Sequence, residues 1–424
     1  MSVSSIRLTL FRVYNEYPMG NVEARQKRRG SSLILQEDDL NTIERQYNAM
    51  CAGHSHIDKR AFEKFAEKYL DSELRELVFD SIMKLSKTKK ITLNSFVQFA
   101  EETLHSAEQQ AKWLLSFGLP LRTILDCVVA SFFVCEQQGC YSSDRALLVD
   151  YLLVHAPPEP ATFEGVHQWL KCSAVLQMML NRVFDAFLLG RRKKALPFIG
   201  ERPLLSAAAL CLIVNYLPAP CRYQWTHLYT SEEHGLNFEK LSKAINGVGA
   251  CLIVIETNSG RTFGGFANAG FLKGDVHRGD NTCFLFEDHH SLAIHTATDE
   301  NDNFAYLNWN HGTLPNGLGL GGHGKHWCFF ITTECTKGLS SPNINTFENC
   351  WLAGENEFAV KKIEAWRIGR DIRVRFDTIG DEIVTEEGCE SIHHITLKNE
   401  DLPHPTHDGV VEQCESRSNN DPHF

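Results

Sequence analysis

The sequence predicts an α+β protein: an all-α N-terminal half, made of an EF-hand-like pair and a helical bundle, followed by an antiparallel β-sandwich with flanking helices. Three observations carry this. Between residues 41 and 190, long Leu/Phe/Ala-rich segments alternate with short breaks, the pattern of packed helices. After Pro203, short runs of strand character take over, separated by turn residues such as Asn258, Ser259 and Gly260. The first half also contains an internal repeat at an offset of 34 residues.

Six segments follow in order: a basic N-terminal arm (1–40), an EF-hand-like pair (41–105), a helical region (106–190), a linker (191–202), a β-rich domain (203–369) and an acidic, partly disordered tail (370–424). A length of 424 residues suits two to three domains of about 150 residues each. Net charge is −11, which argues against a nucleic-acid partner. The charge is uneven. The first 30 residues carry 6 bases and 2 acids, whereas residues 370–424 carry 13 acids and 5 bases. The 14 cysteines form no CxxC pair, and residues 1–30 lack the apolar core of a secretory signal. Reduced, core-filling thiols in an intracellular protein are therefore expected.

In the repeat, Ile57, Phe62, Phe65 and Ala66 align with Ile91, Phe96, Phe99 and Ala100. This is how an EF-hand leaves its loop: the isoleucine pairs with the partner loop, and the phenylalanines begin the exiting helix. The ligands are missing. A calcium loop needs oxygen ligands at positions 1, 3 and 5, glycine at 6 and glutamate at 12. The first loop offers Met50, Ala52, His54, Ser55 and Ala61 there, and the second Lys84, Ser86, Thr88, Lys89 and Ser95. With no carboxylate at these places, a metal-free scaffold is expected.

Further along, the uncharged stretch 203–221 is too short for a membrane span and ends in Leu-Pro-Ala-Pro, so it reads as a buried helix stopped by proline. Strand-like runs follow at 251–256, 261–267, 282–287, 291–296, 304–309, 327–332 and 359–368. The segment from Gly319 to His326 nearly spells a phosphate-binding loop, but His326 stands where a hydroxyl must follow Lys325. Its glycines are expected to let one chain segment pass closely beneath a sheet edge. His311, His323, His326 and Cys328 lack the spacing of a zinc site. Glu287, Asp288, His289 and His290 read as turn residues, and Cys283 has no nucleophile-elbow context. No catalytic residue, metal or cofactor is expected.

In the arm, Met19, Gly20 and Asn21 match the start of a myristoylation signal, with Arg25, Lys27, Arg28 and Arg29 just beyond. A single acyl chain binds membranes only reversibly, and a polybasic patch is the usual second anchor. Gly20 serves only where it is exposed as the N-terminus, and Ala24 stands where the signal carries Ser or Thr.

The residues from Trp225 onward resemble the TLDc domain family. The matching blocks are WTHLYTSEEHGL from Trp225, CLIVIE from Cys251, TFGGFA from Thr262, GDNTCFLF from Gly279, ATDENDNFAYLN from Ala297, LPNGLGLGG from Leu314 and FAVKKIEAW from Phe358. The resemblance implies two antiparallel sheets packed with helices. The order of arm, EF-like pair, helical middle and TLDc is similar to the mTOR-linked, lysosome-associated branch of that family. It implies a non-enzymatic regulator in mTOR or FoxO signalling. Its implied partners are mTOR complex components, an anionic membrane surface and the vacuolar proton-pumping ATPase. The implied location is the cytoplasm and the lysosomal or plasma membrane surface. The rival expectation is an oxidation-resistance protein using cysteine or histidine chemistry, which requires such a residue in an open cleft beside a partner base.

Overall fold

The longest helices are apolar on nearly every face, so they must sit inside a bundle rather than on it. The computed structural model describes residues 35–369, except 52–55, 87, 89, 105, 138, 140, 192–195, 201–202 and 349–350. Its helices are α1 (Glu37–Cys51), α2 (Lys59–Ala66), α3 (Ser72–Leu85), α4 (Leu93–Thr103), α5 (Ala107–Leu115), α6 (Leu121–Glu136), α7 (Ser142–Leu153), α8 (Phe163–Cys172), α9 (Ala174–Leu189) and α10 (Ala207–Tyr216). The arm up to residue 34 and the tail from 370 lie outside the described residues.

The isoleucine pairing expected from the repeat is present. Ile57 and Ile91 form an antiparallel bridge, with Ile57 N–H donating to Ile91 O at 3.1 Å. Asp58 caps α2 and Thr92 caps α4, each accepting a backbone N–H of the first turn. The repeat's phenylalanines converge on α9. Phe62 and Phe96 each meet Phe187 edge-on at 5.9 Å between centroids, and Phe99 meets Phe184 at 6.0 Å. The hollow between the paired units is thus filled by a helix of the same chain.

Buried Arg182 on α9 donates to Glu136 of α6 at 2.7 Å and to Arg191 O, while Glu136 accepts Leu196 N–H at 3.1 Å. The segment read as a linker is therefore tied to the bundle, and its Leu196 and Ile199 are buried. Among the described residues no single helix is long and apolar enough to cross a membrane. α8 and α9 meet at a 94° bend across Ser173 and line the bundle core.

The C-terminal half is β1 (Trp225–Thr230), α11 (Ser231–His234), α12 (Phe238–Ile245), β2 (Cys251–Thr257), β3 (Thr262–Ala267), β4 (Phe284–Asp288), β5 (Leu292–Thr296), β6 (Ala305–Asn308), β7 (Gly317–His323), β8 (His326–Thr332), β9 (Lys337–Leu339) and β10 (Glu357–Ile368). All pairings between these strands are antiparallel. The two layers are not separate sheets. One path, β5-β4-β3-β2-β10-β9-β8-β7-β6, runs through all but β1, which lies beside β10. The N-terminal part of β10 pairs with β9, and the remainder lies between β2 and β1. The wings on either side of β10 face each other: Phe263 of β3 lies 6.1 Å from Phe329 of β8, although the two strands are far apart in the sheet order.

The glycine-rich segment differs from expectation. It is a strand within the sheet, not a chain passing beneath an edge. In β7, Leu318 and Leu320 point into the core between the wings. Gly319 alternates to the other face, where the rings of Trp327 and Phe330 occupy the space a side chain would take. Trp327, Phe330 and Tyr306 form a small cluster of their own. A Cβ on Gly319 would lie 2.8 Å from ring atoms of both Trp327 and Phe330. Gly319→Val should therefore cost about 1–3 kcal/mol of stability. Lys325→Ala, at an exposed turn position, should stay within about 0.5 kcal/mol. Urea denaturation of the two variants checks this, and equal midpoints would contradict the packing described.

Candidate functional site

β1 carries a bulge between His227 and Tyr229, which sets His227 opposite Trp366 and Thr230 opposite Glu364. An extra residue in one strand puts side chains three apart on the same face. Trp225, His227, Glu364 and Trp366 therefore line one cleft, closed on the other side by Phe198, Ile199, Gly200 and Pro203. Its volume is about 460 Å³. The His227 ring lies 4.5 Å from the Trp366 ring, and Trp225 lies 6.4 Å from it. Glu364 is 9% exposed, and its two oxygens accept Leu204 N–H at 3.1 and 3.2 Å. The Trp366 indole donates to the same carboxylate at 3.3 Å. Burial raises the Glu364 pKa, and these donors partly offset it. Glu232 and Glu233 of α11 stand exposed at the rim, where Lys362 pairs with Glu232.

The groups singled out in the sequence serve structural ends. Asp288 accepts Ser206 N–H and Ser206 Oγ–H, both at 2.7 Å, and so caps α10 from β4. Glu287 pairs with His295 at 3.0 Å across the β4–β5 hairpin. The His289 and His290 rings are 3.7 Å apart, and burial holds the His289 pKa low. His311 Nδ1 accepts two backbone N–H groups of its own turn. His323 and His326 are exposed partners at the end of the β7–β8 hairpin. A hairpin turn with strands on both sides supplies no helix N-terminus for a phosphate.

Cys328 is buried, and burial pushes the Cys283 thiol up to about 12. Burial pushes Cys127 and Cys251 up to about 12 and Cys335 to about 11. Such thiols stay protonated near neutral pH and are poor nucleophiles. Among the described residues no group of three or more potential ligands could hold a metal ion. Gly20, Arg25, Lys27, Arg28 and Arg29 lie outside the described residues.

The cleft was not marked out in the sequence, because its walls come from three distant segments. The available signal was Glu364, an acid set in the apolar run of β10 with a tryptophan two residues on.

The comparison with family models decides the nature of the C-terminal half. The TLDc domain matches residues 198–369. This region is a TLDc domain. The human MTOR-associated protein MEAK7 is 32% identical over 231 residues, a stretch longer than the domain, covering 54% of this chain and 49% of that protein. The chicken protein of the same name is 33% identical over 168 residues, covering 39% of this chain and 36% of that protein. The oxidation resistance protein 1 of Xenopus tropicalis is 27% identical over 150 residues, 35% of this chain and 16% of that protein. The matches thus span half or less of these relatives.

The same strand that helps build the TLDc core also fixes a titrating group at its junction with the helices. Burial raises the Asp288 pKa from 3.8 to about 6, with Asp144 adding to the rise and Ser206 opposing it. The native state then holds this proton more tightly than the unfolded chain. Its contribution to stability is full below about pH 4 and is lost as pH rises through about 6. Between about pH 4.5 and about pH 7.5, the stability of the wild type relative to Asp288→Asn should fall by about 2 kcal/mol. Urea unfolding of both proteins across that range measures the difference. A constant gap would show that Asp288 titrates normally.

Proposed function

We propose that this chain is a non-enzymatic regulatory adaptor that acts in mTOR- or FoxO-type nutrient signalling by docking on the vacuolar proton-pumping ATPase. The observation that carries the reading is the 32% identity with the human MTOR-associated protein MEAK7, which extends beyond the TLDc domain. mTOR complex components are the further partners of this reading. The protonated, buried thiols support regulation over redox catalysis. The similarity to oxidation resistance protein 1 favours a protective role as the alternative, with cysteine chemistry falling, among the described residues, to exposed Cys172.

Co-sedimentation of the full-length chain with membranes carrying the ATPase tests the docking. The full chain is required, because the TLDc sheet shares its outer-face core with the helices. Saturable binding at micromolar concentration is the expected result, and failure to pellet there would remove the ATPase from the reading.

Membrane attachment at the lysosome or plasma membrane completes the proposal. A myristoyl chain on an exposed Gly20 would insert, while Arg25, Lys27, Arg28 and Arg29 would each contribute about 1 kcal/mol toward anionic lipid. Intact-mass spectrometry of the membrane fraction should show an acylated Gly20 terminus, and Gly20→Ala should move that form to the cytosol. An unmodified terminus at or near Met1 in the same fraction would refute the anchor.

A further inference from the structure

Among the described residues, β6 closes one side of the sheet, with β7 on its inner edge. A strand in that place leaves a row of backbone groups open to any other strand. Here the outer edge is covered by a strap, residues 273–278, that lies outside the named strands. Arg278 N–H donates to Ala305 O at 2.8 Å, Ala305 N–H donates to Arg278 O at 2.9 Å, and Gly274 N–H donates to Leu307 O at 3.0 Å.

Little else holds the strap. Lys273, Asp275, Val276 and Arg278 are exposed, and the Lys273 ammonium rests 4.6 Å from the Trp309 ring. Gly274 and Gly279 bracket the segment. The first has open space where a side chain would stand, and the second has a φ of +116°. The one side chain that reaches inward is His277. Its ring packs beside Tyr306 of β6 at 5.2 Å and Trp327 of β8 at 5.7 Å, and its Nε2–H donates to Gly322 O of β7 at 2.9 Å.

With Nε2 donating, an added proton goes to Nδ1. The resulting charge would find no acid on the strands around it, because β6, β7 and β8 contain no carboxylate. The titratable and charged groups there are Tyr306, His323 and His326, with Lys325 in the turn and Asp275 and Arg278 on the strap itself. His323 opposes the charge. The two rings attract a cation weakly, yet burial has the largest effect and holds the His277 pKa below the ordinary 6.5. The closed strap therefore binds this proton less tightly than the open one. Closure is fully supported above about pH 6.5 and weakens as pH falls below it.

We propose that the strap 273–278 is an acid-released guard over the β6 edge, latched by His277. Acid frees the latch, and Ala305 and Leu307 then present an uncovered strand edge. This device operates whether or not the chain docks on the ATPase.

Hydrogen exchange of the full chain at pH 7.5 and 5.5 tests it, read by mass spectrometry and corrected for the intrinsic effect of pH on amides. One proton per opening limits the response to about tenfold per pH unit. Fragments covering 273–278 and 304–309 should open about three- to tenfold more often at pH 5.5, while the central strand 251–257 does not follow. His277→Phe keeps a ring without the titration and should remove the response, whether its strap rests open or closed. Lys273→Ala should raise opening at both pH values and preserve their ratio. Equal opening of the wild-type strap at the two pH values would overturn the proposal. So would a response that survives in His277→Phe, vanishes in Lys273→Ala or appears equally in 251–257.

Discussion

A ten-residue helix with no charged side chain, α10, is the constraint around which the molecule is organised. Ala207 through Val214 are all buried, so this helix needs protein on every side. The helical half supplies α7 and α9, and the sheet supplies β4 and β5. The outer face of the sheet, with Leu252, Val254, Phe266, Phe284 and Phe286, joins the same core as the bundle. Two carboxylates from the sheet hold the start of the helix in place: Glu364 at Leu204 and Asp288 at Ser206. Their backbone and hydroxyl partners are oriented donors, so the joint has a defined geometry as well as apolar area.

This joint explains why the two halves, so different in their sequence patterns, pack as one. Apolar stripes on α10 and on β2 through β4 would otherwise face water. The EF-like pair repeats the theme within the helical half. Its phenylalanines close around Phe187 and Phe184 of α9, so a surface that in related architectures can accept a foreign helix is here occupied by the chain itself. The lack of carboxylates at the ligand positions of both loops fits that arrangement, since a permanently filled hollow has no use for a metal that opens it.

Much of this was legible because strong periodicity survives in the sequence. The runs that became β2 through β6, β8 and β10 were visible as short apolar segments between turns, and the paired isoleucines were visible from the repeat. Three strands were hidden, each for a physical reason. β1 was masked by its bulge, which breaks the alternation between His227 and Tyr229. β7 was read as a loop because glycine is a poor strand former, yet its small residues make room for Trp327 and Phe330 from the neighbouring strand. β9 has three residues, too few for any period to show. The cleft was hidden for a different reason: Phe198, Trp225 and Glu364 meet only when β1 lies against β10. The structural reading of Glu287, Asp288 and His311 holds in kind, for they serve as a pair, a cap and a turn residue.

The shared strand β10 is the last of the ten in chain order and the seam between both wings. A ribosome therefore releases β2 through β9 before the strand that joins them exists. Until about residue 368 clears the exit tunnel, β2 and β9 each present an edge with no neighbour, and α10 waits beside a sheet that is not yet closed. Long-range pairing of this kind comes late, after the local helices have formed. The nascent chain thus passes through an interval of synthesis with sticky edges on display, and escorting it through that interval is work for the chaperones stationed at the tunnel mouth.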